Sequence, residues 1–92
     1  MFEYNICNMP DENIFFRQCE ALEKRIECIQ KGDLLQDVDS SLIQEYSLDR
    51  KKILVHNDLY VGCVWIGSEI DLTQFFPAAK SAIQETFEGV PY

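Results

Sequence analysis

Residues 59–66, Leu-Tyr-Val-Gly-Cys-Val-Trp-Ile, leave no face for water. Eight residues is strand length, and β-branched and aromatic side chains suit a crowded pleated surface. A strand that is apolar on both faces belongs inside a sheet. The rest of the chain must therefore supply its neighbours and a cover.

Three further stretches read as neighbours. Residues 2–7 alternate, with Phe2, Tyr4 and Ile6 on one face. Residues 42–48 put Leu42, Tyr46 and Leu48 on one face, and residues 51–56 follow a turn at Asp49 and Arg50. Asn57 and Asp58 read as a two-residue hairpin turn without the glycine that strengthens such a signal. Gly67 and Ser68 end the apolar run or lead into a short strand at 69–72.

Two helices read as the cover. Asp11 stands where an N-cap is wanted, and Phe15, Cys19, Leu22, Ile26 and Ile29 recur at helical spacing. This helix is expected to reach about residue 30, with Gly32 as its left-handed C-cap. Residues 33–41 then form an acidic connection. A last helix is expected after a cap at Asp71 or Thr73, with Pro77 in its first turn. Its apolar stripe is Phe76, Ala79, Ile83 and Phe87, and Gly89 and Pro91 stop it. The expected fold is α+β, in the order β-α-β-β-β-α: an antiparallel sheet with two helices packed on one face.

The 92 residues are read as a single domain, 1–92. A chain this size buries roughly 60–65% of its unfolded surface, and 47% apolar residues suffice for one core. No run approaches the roughly 18 apolar residues of a membrane span. The start, Met1-Phe2-Glu3-Tyr4, has no basic region ahead of a greasy one, so a cytoplasmic protein is expected. In that compartment Cys7, Cys19, Cys28 and Cys63 read as reduced thiols, and none forms a Cys-x-x-Cys pair.

Chemistry finds little footing. Asp37, Asp39 and Ser41 open like a calcium loop, but the sixth and twelfth positions are Leu42 and Leu48 where glycine and glutamate are required. His56 is the one histidine, and its nearest candidate nucleophile, Cys63, sits in an apolar strand that keeps a thiol protonated. No glycine-rich phosphate cradle or nucleophile elbow exists. No cofactor, no metal and no enzymatic activity are therefore expected.

Charge says more. Sixteen acidic residues against eight basic give a net charge of −8. Such a field repels nucleic acid and anionic lipid, and Arg50, Lys51 and Lys52 are the lone basic cluster. It draws in basic protein surfaces. The candidate contact residues are Asp33, Asp37, Asp39, Tyr46, Glu69 and Asp71, an acidic patch if those strand ends converge. Trp65 is expected in the core.

In size, acidity, α+β pattern and lack of a catalytic motif, the chain resembles the small immunity proteins of bacterial contact-dependent growth inhibition systems. That resemblance implies inhibition of one cognate toxin, often a nuclease. Immunity proteins share no common motif, so no residue role follows from it. Two other readings fit the composition: a module that self-associates through exposed edge strands, and a phage or plasmid protein mimicking nucleic acid.

Overall fold

The computed structural model describes residues 2–75. It is an α+β fold: a five-stranded antiparallel sheet covered on one face by one α-helix. The elements are β1 (Phe2–Cys7), α1 (Glu12–Arg25), β2 (Gln30–Gln36), β3 (Leu42–Leu48), β4 (Lys51–Asp58) and β5 (Cys63–Ser68), then a 3-10 turn at Leu72–Phe75. The strand order is β1-β5-β4-β3-β2. Strands β2 to β5 form a meander, and β1 adds to its far edge. Helix α1 must therefore carry the chain from one edge of the sheet to the other. Its 14 residues span about 21 Å, close to the roughly 19 Å across four strand spacings.

Helix α1 starts where its cap predicts. The Asp11 carboxylate accepts from the Ile14 N–H at 3.1 Å, and the Asp11 N–H donates to Asn57 Oδ1 at 2.9 Å. The second bond pins the helix start to the end of β4. Lys24 and Arg25 lie in the last turn, where the dipole favours cations. Phe15, Cys19, Leu22 and Ile26 are buried as the spacing predicts, together with Ile14. They meet Leu42, Tyr46, Ile53, Val55, Val64, Ile66, Ile6 and Cys7 from the sheet, and Leu72 from the 3-10 turn.

Several expectations are corrected. The helix ends at Arg25, because Ile26 is extended and Cys28 is left-handed at φ 64. Both Ile26 and Ile29 still reach the core through this turn, so the apolar spacing holds after the helix has stopped. Residues 30–36 are a strand rather than a C-cap and a loop. Gly32 suits the close approach there, since a Cβ would stand only 3.2 Å from the Cβ and carbonyl oxygen of Glu45. The Gln44 amide fixes this irregular stretch by donating to the carbonyls of Gly32 and Asp33 at 3.0 and 3.3 Å.

The β4–β5 turn is residues 59–62, not Asn57 and Asp58. Gly62 supplies its positive φ of 86, and Asp58 Oδ1 accepts from the N–H groups of Tyr60 and Val61. The inner apolar strand is correspondingly 63–68. No strand forms at 69–72. The order of described elements is thus β-α-β-β-β-β, and the expected second helix, with Phe76, Pro77, Ala79, Ile83, Phe87, Gly89 and Pro91, lies outside the described residues. No helix among the described residues is long and apolar enough to cross a membrane.

Candidate functional site

Antiparallel register sorts the sheet's side chains into two faces. One face meets α1. On the other, Asn5, Trp65, His56, Ile43 and Leu35 follow one another across all five strands. Glu3, Leu54 and Glu45 lie in the next row of that face. None of these residues belongs to the buried cluster. At the centre the rings of His56 and Trp65 stack, with centroids 3.9 Å apart and planes within 2°. Trp65 was expected in the core; parity puts it on the open face, half-buried against His56 instead.

Two hollows flank the stacked pair. One, about 460 Å³, is lined by Asp37, Val38, Asp39, Ile43, His56, Asp58 and Tyr60 among others. The other, about 440 Å³, is lined by Glu3, Tyr4, Asn5, Val61, Cys63 and Trp65. Among the described residues, no lysine or arginine lines either hollow.

The first hollow exists because two turns meet at one end of the sheet. Residues 37–41 close the β2–β3 hairpin, with the Asp37 N–H donating to Ser41 O at 2.9 Å. Ser41 Oγ then accepts from the Leu59 N–H at 2.8 Å, tying this turn to the 59–62 turn. The carboxylates of Asp37, Asp39 and Asp58 are held by backbone N–H groups of their own turns. The hydrogen bonds from Ser41 hold the Asp39 carboxyl below its usual pKa. Between the acids stand Val38 at 101% exposure and Tyr60 at 91%, with Val61 and Leu59 beside them. Exposed aromatic and aliphatic side chains ringed by charge have the anatomy of a protein contact surface.

The six residues nominated from sequence separate. Asp37 and Asp39 belong to this twin-turn end, and Asp33 is exposed on edge strand β2. Glu69 and Asp71 lie at the opposite end, where Ser68 pairs with Ile53. There Glu69 Oε1 accepts from the Lys52 N–H at 2.6 Å, and Asp71 accepts from the Tyr4 hydroxyl at 3.2 Å. The strand ends do not converge into one acidic patch. Tyr46 is 2% exposed; its hydroxyl donates to Glu23 at 2.5 Å and lies 3.4 Å from the Cys19 carbonyl. Burial, then Glu23, drives its phenol far above the usual pKa. Its ring is core rather than contact surface. Nothing in the linear order singled out Val38, Asp58, His56 or Val61 for this end; only the pairing of the two hairpins brings them together.

Other chemistry is held in check. Burial lowers the pKa of His56, with Asp58 opposing, so the imidazole is neutral at pH 7. Burial and the Asp58 charge raise that of the Cys63 thiol, the reverse of what a nucleophile needs. Among the described residues, no three His, Cys, Asp or Glu side chains are grouped to hold a metal ion. No family model matches the chain, and no match was found among curated proteins or solved structures.

Proposed function

We propose that this chain is a binding protein for a basic protein partner, which it engages through the twin-turn end and the adjoining open face. One observation carries the reading. Exposed Tyr60, Val38 and Val61 stand with Asp37, Asp39 and Asp58, and among the described residues no cation lines either hollow. The basic side chains of Lys24, Arg25, Lys31, Arg50, Lys51 and Lys52 gather towards the other end of the sheet, where β2 and β4 begin and α1 finishes. Glu23, Asp49, Glu69 and Asp71 accompany these cations, so the uncompensated acidity lies at the twin-turn end and steers a basic partner there. Apolar anchors then supply the binding energy there.

Occupation of a basic groove is how a small acidic protein would silence a nuclease toxin, and an immunity role fits this reading. With it come a cytoplasmic address and no direct contact with nucleic acid or membrane. The test is capture by the tagged protein from native cells at low salt, with mass spectrometry of what is retained. A single basic protein that elutes as salt rises supports the reading. Retention that is indifferent to salt, or of an acidic protein, contradicts it.

A further inference from the structure

The stacked rings divide the open face in two. His56 and Trp65 stand directly opposite each other on β4 and β5, with ring planes within 2° and centroids 3.9 Å apart. Neighbouring strands lie about 4.8 Å apart, so the stacking direction runs across the sheet. One face of the indole is therefore taken by the imidazole. The other turns towards β1, where Asn5 stands opposite Trp65. The hollows follow this division: His56 lines the first and Trp65 the second. Trp65 Nε1 donates to Asp58 Oδ2 at 3.5 Å, a second restraint on the ring.

What surrounds the free indole face selects a ligand. The second hollow, about 440 Å³, has room for one long side chain. Glu3 lies on the same face of β1 as Asn5 and is exposed. Asn5 spends its Nδ2 on Asn8 Oδ1 at 2.6 Å, which leaves Oδ1 as its group for a ligand. Val61 and Cys63 add wall, and burial keeps the Cys63 thiol protonated. Among the described residues no cation lines the hollow, so its strong polar groups are acceptors beside an electron-rich ring. An anion is repelled here. An ammonium is compact and strongly hydrated, and it gains little in a half-open hollow. A guanidinium is planar and weakly hydrated; it can lie on the indole while its N–H groups reach a carboxylate.

We propose that this hollow seats an arginine side chain of the basic protein partner, stacked on the free face of Trp65 with Glu3 as its counter-ion. The proposal rests on the basic-partner reading and deepens it by naming the residue the partner inserts. Val61 lines this hollow and belongs to the 59–62 turn, so an arginine seated here brings its backbone beside the twin-turn end. The stack with His56 orders the indole in advance, so binding does not have to fix its rotamer. A lone arginine gains a partly exposed cation–π contact and a solvent-screened ion pair. On its own it binds weakly, with a dissociation constant on the order of 10 mM.

The test is an NMR titration of the full chain with acetyl-Gly-Arg-Gly-amide at fixed ionic strength, and with acetyl-Gly-Lys-Gly-amide alongside. Trp65 is the one tryptophan of the chain, so its indole N–H gives a single isolated signal. The arginine peptide should shift that signal and the backbone amides of Glu3 and Asn5 saturably. The lysine peptide should bind at least roughly threefold more weakly. Glu3→Gln, at an exposed position, should weaken arginine binding by at least roughly threefold while the rest of the amide spectrum is unchanged. No saturable shift at Trp65, equal binding of the two peptides, or an unaltered affinity in the Glu3→Gln chain would overturn the proposal. Its failure is distinct from that of the partner reading. A silent Trp65 with a basic protein still captured at low salt removes the arginine seat alone. A responding Trp65 without salt-sensitive capture removes the partner and leaves an arginine-binding hollow.

Discussion

Replacing Tyr46 with phenylalanine separates a core role from a contact role at a residue whose sequence position allows both. The ring is buried, and its hydroxyl donates to Glu23. A hydrogen bond to a charged acceptor contributes about 1.5–3 kcal/mol. Glu23 is 38% exposed and keeps its ion pair with Lys31, so water partly replaces the lost donor. The expected cost of Tyr46→Phe is therefore about 1–2 kcal/mol. For a domain of this size that lowers Tm by roughly 5–15 °C. Circular dichroism at 222 nm on heating reads it directly. A double-mutant cycle with Glu23→Gln should return a coupling of about 1 kcal/mol. Tyr46→Ala should cost roughly 3–5 kcal/mol, as for other large core rings. Partner capture by the folded Tyr46→Phe chain should be unchanged. A Tyr46→Phe variant as stable as the parent but deficient in capture would refute the core assignment.

Three other outcomes follow from the same geometry. Asp49 and Arg50 both have positive φ, 51 and 67, the two-residue turn that favours Asn-Gly; relieving Arg50 with glycine should stabilise the fold by about 0.5–1 kcal/mol in urea unfolding. Gly32→Ala should cost about 1 kcal/mol, because the new Cβ stands 3.2 Å from the Glu45 Cβ and carbonyl oxygen and β3 must yield to admit it; an unchanged urea midpoint would show that it yields freely. The lowered pKa of His56 favours the neutral ring in the folded state. Its contribution is complete above the unfolded value of about 6.5 and is lost as pH falls from there towards the folded value. The slope is at most about 1.4 kcal/mol per pH unit. His56→Gln should flatten the loss of stability as pH falls below about 6.5, and an unaltered slope would show that another group carries it.

The sequence was most legible where one local signal had one structural meaning. Asp11 caps α1, and Phe15, Cys19 and Leu22 line its buried face. The alternation of 42–48 and the turn at Asp49 and Arg50 place β3 and the start of β4. Legibility failed where one residue satisfies two rules. Gly32 fits a helix C-cap as well as it fits a strand that approaches its neighbour closely. Ile26 and Ile29 meet the core from a helix or from a turn. The open face was hidden for a related reason: Trp65 is apolar, and only the pairing of β5 with β4 gives its parity. The acidic patch misled because carboxylates carry no record of which end of a strand their loop joins. Asp37 and Glu69 look alike in sequence and stand at opposite ends of the sheet.

That separation offers the most direct test of the binding reading. Asp37→Lys with Asp39→Lys reverses charge at the twin-turn end, and Glu69→Lys reverses it at the other. Capture of the basic protein retained at low salt should fall by at least tenfold for the first chain and stay within about twofold for the second. Equal loss for both would make the field of the whole molecule responsible. Loss confined to Glu69→Lys would contradict the assignment of the twin-turn end as the binding surface.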